Sequence, residues 1–331
     1  MSEQFSEKYN LPRYRIAQFN KAYYQEYIDS WDGLTTWPKD LRDSLKKDLP
    51  FCQLELIKLE VSKDLSTQKA LFQTVKGNYI ESVLMTEKDR NTVCVSCMSG
   101  CPVGCLFCAT GQMGLNESLN SGQIVDQVLF FSRLLKKENL KITNIVYMGM
   151  GEPMLNLRPV SHSIEILTGA DKFGLSRRHI TLSTCGYIDE LKEFMELDLG
   201  VKIAISLHAP NQELREKLMP TVSKENPLDK LFPLLDEFVE RTNKRITYEY
   251  VLLDGINDSD QQAKELADLL YSRLVLVNLI DYNSNPYRSF KKSPNTKHFM
   301  DILLNNGINT TLRKSYGNDI SGACGQLAKA T

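Results

Sequence analysis

The stretch Gly100-Cys101-Pro102-Val103-Gly104-Cys105-Leu106-Phe107-Cys108 sets three cysteines in a C-x3-C-x2-C run. Three thiolates on one short loop can hold three irons of a cubane [4Fe–4S] cluster and leave the fourth iron open. An open iron can bind the amine and carboxylate of S-adenosylmethionine and pass it an electron. Phe107, beside the last thiol, would give such a cluster an apolar wall, and burial is one lever on its potential. The same spacing admits a structural zinc site, with Cys94-x2-Cys97 and Cys105-x2-Cys108 as two knuckles. Those knuckles lie close together for a zinc module, and Cys101 would be unused. A disulfide framework suits small secreted chains better than this one. Spacing alone leaves iron–sulfur and zinc both open.

Outward from that loop, the pattern from about residue 91 repeats strand, loop, helix. Apolar runs predict strands at Thr92–Ser96, Asn144–Met148, His179–Ser183, Val201–Ser206, Ile246–Leu252, Leu274–Ile280 and Ile308–Leu312. Amphipathic helices are expected near Gly122–Lys136, Pro159–Leu167, Ile188–Met195, Pro227–Thr242, Gln261–Ser272 and Lys297–Asn306. Such alternation predicts an α/β fold: a parallel sheet with helical crossovers, either an incomplete barrel or an open doubly wound sheet. Upstream, Ile16, Phe19, Tyr23, Tyr27 and Trp31 recur at helical spacing, and Trp37-Pro38-Lys39-Asp40-Leu41 opens another helix. Residues 51–90 alternate as two or three strands, with Lys76-Gly77-Asn78 as a turn.

In either parallel architecture the site belongs at the C-terminal ends of the strands. The unusual residues fall there. The cysteine loop follows the first strand, and Met148-Gly149-Met150-Gly151-Glu152-Pro153 follows the second. Ser183-Thr184-Cys185-Gly186, Ser206-Leu207-His208-Ala209-Pro210 and Tyr282-Asn283 follow later ones. Gly149 and Gly151 would let backbone approach a ligand, while Glu152 and nearby carbonyls bind its ammonium. Ser183, Ser206 and Asn283 are each ordinary caps or turn formers alone; on one rim they can contact a ribose and a carboxylate. His208 is a candidate ligand-contacting base, although a lone histidine is more often satisfied structurally.

Composition places few limits beyond this. The 331 residues are 42% apolar and 24% charged, with a net charge of −1, which carries no bulk nucleic-acid signal. The local run Arg288, Lys291, Lys292, Lys297, Arg313 and Lys314 is basic, and Arg42, Lys46 and Lys47 recur at helical spacing. Charge runs of this kind are usually solvated faces. No segment has the apolar length of a membrane helix. The opening Met1–Lys8 reads as neither a signal nor a transit peptide. With clustered thiols, this leads us to expect a cytoplasmic protein and no membrane partner.

Several stretches together resemble one family. Ile80-Glu81-Ser82-Val83, Cys94-Val95-Ser96, the cysteine loop with Ala109-Thr110-Gly111, Met148–Asn156, Ser206-Leu207-His208-Ala209-Pro210 and the tail Gly317–Leu327 look like the RlmN/Cfr family of radical-SAM RNA adenine methyltransferases. The match runs in order over most of residues 75–328. It implies a partial (β/α) radical-SAM barrel over 91–314, a small N-terminal helical accessory domain over 1–50, a β-rich connector over 51–90 and a C-terminal loop over 315–331.

The resemblance also implies a chemistry that needs two distant cysteines. An adenine ring carbon is too electron-poor to attack a sulfonium methyl group. The Cys324 thiolate would first take a methyl from one S-adenosylmethionine. A second molecule, cleaved at the reduced cluster, gives a 5′-deoxyadenosyl radical that removes hydrogen from methylated Cys324. The carbon radical adds to adenine, and Cys94 resolves the thioether adduct, leaving a Cys94–Cys324 disulfide. Glu81 matches the family's proton acceptor. Cys101, Cys105 and Cys108 match the cluster ligands, while Gly151, Glu152, Ser183, Ser206, Leu207, His208 and Asn283 match cofactor-contacting positions.

Implied substrates are an unpaired adenosine of 23S ribosomal RNA and, for some family members, adenosine 37 of transfer RNA. A stacked adenine must be splayed out at a cost of about a few kcal/mol, which phosphate contacts from the basic run could offset. A low-potential donor such as flavodoxin or ferredoxin and a monomeric state are expected. Glu152-Pro153 resembles the C2-methylating branch, the C8-methylating branch usually having alanine after the glutamate. C8 methylation is therefore the close alternative, and a non-catalytic, zinc-stapled RNA-binding protein is the one from another class. Cys97, Met98 and Asp281 depart from common family residues, as does the loop Ser284–Asn295.

Overall fold

The computed structural model describes Tyr9 and residues 11–328. The opening Met1–Lys8 and the last residues of the tail segment lie outside them. The chain begins with α1 (Arg13–Asn20), which widens into a π-helical turn at Lys21–Gln25, and α2 (Lys39–Asp48), which Pro38 directly precedes. Their aromatic faces are buried: Phe19, Trp31 and Trp37 pack together, and Phe51 closes on Tyr23 and Trp31.

Next come β1 (Leu54–Val61), β2 (Thr67–Thr74) and β3 (Tyr79–Glu87), an antiparallel meander that pairs onto β4 (Arg90–Cys94). After β4 the chain turns through a short hairpin, β5 (Met98–Cys101) and β6 (Gly114–Ser118), with the cysteine loop between its strands. The alternating pattern then runs α3 (Ser121–Lys137), β7 (Asn144–Tyr147), α4 (Leu157–Thr168), β8 (Ile180–Thr184), α5 (Ile188–Glu196) and β9 (Lys202–Ser206). It continues α6 (Gln212–Leu218), α7 (Pro220–Glu225), α8 (Leu228–Thr242), β10 (Ile246–Leu252), α9 (Asp260–Leu270), β11 (Val275–Asp281), α10 (Thr296–Asn305) and β12 (Thr310–Arg313). Asn120 and Ser259 open α3 and α9 with reciprocal capping boxes to Gln123 and Gln262.

The main sheet has ten strands in the order β1-β2-β3-β4-β7-β8-β9-β10-β11-β12, parallel from β4 onward. That order never reverses. Right-handed crossovers that always step the same way put every crossover helix on one face, so this is an incomplete barrel and not the doubly wound alternative. The sheet stays open at β1 and β12. All seven strands expected after residue 91 are present within a residue or two at most ends. The β5–β6 hairpin and the pair α6–α7 were not foreseen. The first is held by glycine geometry: Gly100 has φ +77°, and a Cβ there would strike the Gly114 carbonyl at 1.9 Å.

Candidate active site at the barrel rim

One cavity lies at the C-terminal rim. Cys101, Cys105, Cys108, Gly151, Glu152, Ser183, Ser206, His208, Asn283 and Cys324 all line it. These come from the cysteine loop, the ends of β8 and β9, the loops after β7, β9 and β11, and the tail, so the parallel strands curl around a shared centre. Three expected residues do not line this cavity: Leu207, Glu81 and Cys94. Leu207 is fully buried, and only its backbone takes part, with Leu207 N and His208 N both donating to the Glu249 carbonyl. Glu81 is buried on β3. Its Oε1 lies 3.0 Å from Lys69 Nζ, and burial raises its pKa against the pull of that lysine.

Phe107 and Val103 line the cavity beside the three thiols, giving the apolar wall expected of Phe107. Burial pushes Cys101 up and Cys108 up to about 11. A thiol in that state becomes a thiolate ligand when a metal supplies the opposing charge. Among the described residues no three Cys, His, Asp or Glu side chains converge as a ready single-ion site. Zinc needs donors meeting at one point; a cubane is bound by thiols spread about a cavity, one to an iron. The donor set fits the cluster. Cys97 is buried away from the cavity, its thiol beside Glu152 and its carbonyl accepting from Asn156, so the two-knuckle arrangement is not formed.

Glu152 is buried with its carboxylate facing the thiols' cavity. Oε1 accepts from Met154 N at 3.0 Å and Oε2 from Cys185 N at 2.8 Å, while burial raises its pKa. Gly151 owes its identity to packing as well as to its φ of +103°, because a Cβ there would meet Met98 at 2.6 Å. Ser183 and Ser206 stand side by side, hydroxyls 3.4 Å apart. His208 is buried with its ring edge-on to Phe107, and Nδ1 accepts from Val251 N at 3.0 Å. Desolvation, helped by Arg215, lowers its pKa to about 3, so it is neutral at physiological pH.

The tail returns over the cysteine loop. Ala109 N donates to the Gly325 carbonyl at 2.8 Å, Thr110 Oγ1 to that of Leu327, and Asn283 Nδ2 to that of Cys324 at 3.2 Å. Cys324 lines a second cavity as well, together with Cys94. The two cavities share Met148, Ile280, Asn283, Arg313 and Cys324 as walls. Arg313 extends from the end of β12 toward Glu249, its Nη1 3.6 Å from Glu249 Oε2 and 3.1 Å from Met148 Sδ. The nearby Cys324, Glu249 and Cys94 hold it firmly protonated. Burial pushes Cys94 up to about 12, with Arg313 opposing.

Comparison with known proteins agrees with this geometry. The Radical SAM superfamily model matches residues 95–267. A probable dual-specificity RNA methyltransferase RlmN from Dictyoglomus thermophilum is 42% identical over 318 residues, covering 96% of this chain and 90% of that protein. The chain belongs to the RlmN family of radical SAM RNA methyltransferases. The RlmN of Campylobacter jejuni is 40% identical over 342 residues, covering 99% and 95% of the two chains. A crystal structure of a radical SAM methyltransferase from Sphaerobacter thermophilus superposes with a TM-score of 0.95 at 42% identity, covering 98% of this chain and 96% of that one. Membership in the RlmN family makes the chain a SAM-dependent RNA methyltransferase whose cofactors are a [4Fe–4S] cluster and S-adenosylmethionine. The zinc-stapled, non-catalytic reading is set aside.

Sequence reasoning missed Glu249, Arg215 and Cys185, and misread Arg313. Glu249 left a signal, being a carboxylate inside the otherwise buried run of β10. Arg313 had been grouped with a basic surface run, yet it turns into the site. From the same run, Lys292 is paired with Asp281 at 2.7 Å and Lys314 with Glu87 at 3.6 Å.

Proposed function

We propose that this chain methylates C2 of an adenine in 23S ribosomal RNA, and an adenine of transfer RNA, through a methyl carried on Cys324. The observation that carries the reading is the shared wall: Cys324 faces both the cavity of the three loop cysteines and the cavity of Cys94. A carrier must meet a methyl donor on one side and a resolving thiol on the other. When bound, the cluster and S-adenosylmethionine supply the one-electron chemistry that activates the carried methyl.

In this reading Cys101, Cys105 and Cys108 hold the cluster. Glu152, Ser183, Ser206, Asn283 and the backbone at Gly151, Leu207 and His208 orient S-adenosylmethionine. The Cys324 thiolate takes the methyl, forming S–CH3 as the sulfonium C–S bond breaks. Arg313 stands near both thiols and opposes the burial that raises Cys94. After the methyl carbon has joined the adenine, the Cys94 thiolate attacks Cys324 Sγ; an S–S bond forms, and the C–S bond to the adduct breaks with its electron pair going to the former methyl carbon, which takes up a proton to become the methyl group. Glu81 takes the ring proton. Glu81, Val83 and Met85 alternate on one face of β3, and Val83 and Met85 line the Cys94–Cys324 cavity, which supports this role.

The N-terminal helices, as an accessory unit, and the unpaired cations of the 288–314 run are proposed to meet RNA phosphates. Among the described residues no helix is long and apolar enough to cross a membrane. A cytoplasmic monomer reduced by a flavodoxin or ferredoxin completes the proposal. The deciding experiment is peptide mass spectrometry on Cys324 with nucleoside analysis of treated ribosomal RNA. One added methyl on Cys324 and 2-methyladenosine in the RNA are expected. 8-Methyladenosine would assign the C8 reaction, and an unmodified Cys324 in cluster-loaded protein incubated with S-adenosylmethionine would end the carrier mechanism.

A further inference from the structure

A fully buried arginine lies behind the cysteine loop, and among the described residues no carboxylate balances it. Arg215, on α6, donates from Nη1 to the Asn226 carbonyl at 3.3 Å and from Nη2 to that of Cys185. Its Nε is buried without an acceptor. Among the described residues, the ionisable groups close enough to act on its charge are the thiols of Cys185 and Cys105 and the His208 ring, and none of them is a carboxylate. Cys185 lines the same cavity as the three loop cysteines, and the end of α6 is tied to the loop by Leu106 N donating to the Leu218 carbonyl at 3.0 Å.

A guanidinium stays protonated in proteins. Burying it unpaired is costly, and a partner that brings negative charge offsets that cost. The partner here is not a side chain of ordinary charge. A cubane held by three thiolates is anionic in its oxidised state, and one-electron reduction adds a further negative charge. A fixed cation behind the ligating loop therefore stabilises the reduced form more than the oxidised one. Net charge around the cluster is a recognised lever on its potential.

We propose that Arg215 is the counter-ion of the iron–sulfur cluster, a positioning and tuning residue that raises the cluster's reduction potential from behind the Cys105 wall. The inference rests on the assignment of Cys101, Cys105 and Cys108 as cluster ligands.

The test uses full-length protein reconstituted anaerobically, poised over a range of potentials, with the reduced cluster quantified by its EPR signal. Arg215→Gln keeps a side-chain donor and loses the charge; Arg215→Lys keeps the charge and loses the planar fork. At a fixed potential, Arg215→Gln is expected to lower the reduced-to-oxidised ratio roughly tenfold, about 59 mV for a one-electron couple. Arg215→Lys should recover most of that loss. An iron-replete Arg215→Gln protein with the wild-type midpoint overturns the proposal, as does an Arg215→Lys protein shifted equally far. Should Arg215→Gln hold no cluster, thermal melting of the cluster-free proteins decides. A counter-ion predicts that cluster-free Arg215→Gln melts no lower than cluster-free wild type, where the charge lacks its partner. A lower melting temperature makes Arg215 a mere brace for α6 and overturns the proposal. Wild-type protein that takes up no iron overturns the ligand assignment and the counter-ion together, and iron analysis distinguishes that case.

Discussion

The cysteine loop and the Cys94–Cys324 pair are both thiol sites, built in opposite ways. The loop takes its three thiols from the end of β5 and the residues just after it, so their proximity is a property of local chain. The pair joins the last residue of β4 to a tail beyond β12, and only the curled sheet brings them to one cavity. Their electrostatics differ too. Cys101 and Cys108 are raised by burial and, in the proposed reading, wait for metal to draw off their protons, whereas the pair has the Arg313 guanidinium beside it, held by Glu249. A cluster site can rely on its iron for charge. A nucleophile that must work without metal needs a protein cation.

Removing a loop thiol should have the largest effect. Cys101→Ala is expected to abolish cluster binding and RNA methylation together, read as loss of iron and of the visible charge-transfer absorption. Retained iron at wild-type stoichiometry would separate the loop from the cluster.

Cys94→Ala tests the other half of the comparison. Cluster and methylated Cys324 should both survive, while release of product fails and a covalent protein–RNA adduct builds up, seen as a slow-migrating species that ribonuclease trims. Free methylated RNA at the wild-type rate would mean that Cys94 resolves nothing.

Arg313→Met strips the pair of its cation and leaves the Glu249 carboxylate buried with only Asn278 as a donor at 3.0 Å. We expect a loss of about 3 kcal/mol in unfolding free energy, the cost of breaking a buried pair. Glu249→Gln in the same chain should restore much of it. Additive losses in the double variant, measured by denaturant unfolding, would show that the two do not act as a pair.

The smallest effect concerns His208. Its folded pKa of about 3 lies below the ordinary value of 6.5, so between these limits the unfolded chain binds more protons. The stability that neutral His208 contributes is full above about pH 6.5 and fades as pH falls toward 3. From pH 7 to pH 5 wild type should lose about 2 kcal/mol relative to His208→Gln. Parallel stability–pH curves for the two proteins would mean that His208 is solvated and not held neutral against Phe107.

Reading the sequence alone determined the seven parallel strands, the meander before them and the loop that carries three thiols. These follow from apolar periodicity and contiguous spacing, which are local properties. The order of motifs at strand ends also placed Glu152, Ser183, Ser206, His208 and Asn283 on one rim, because parallel strands expose their following loops on the same side. The roles proposed for Cys94, Glu81 and Cys324 came through resemblance, since an isolated tail cysteine has no spacing to interpret.

Only the tertiary structure decided which way the sheet curls, that Cys324 stands between two cavities, and that Glu81 is buried against Lys69. It also turned Arg313 inward from an apparent surface run and exposed Arg215 as a cation without a carboxylate. The reason is physical. Periodicity encodes which face of an element is apolar, but the charge environment of a buried group depends on neighbours far away in the chain, and these meet only when the strands have closed around them.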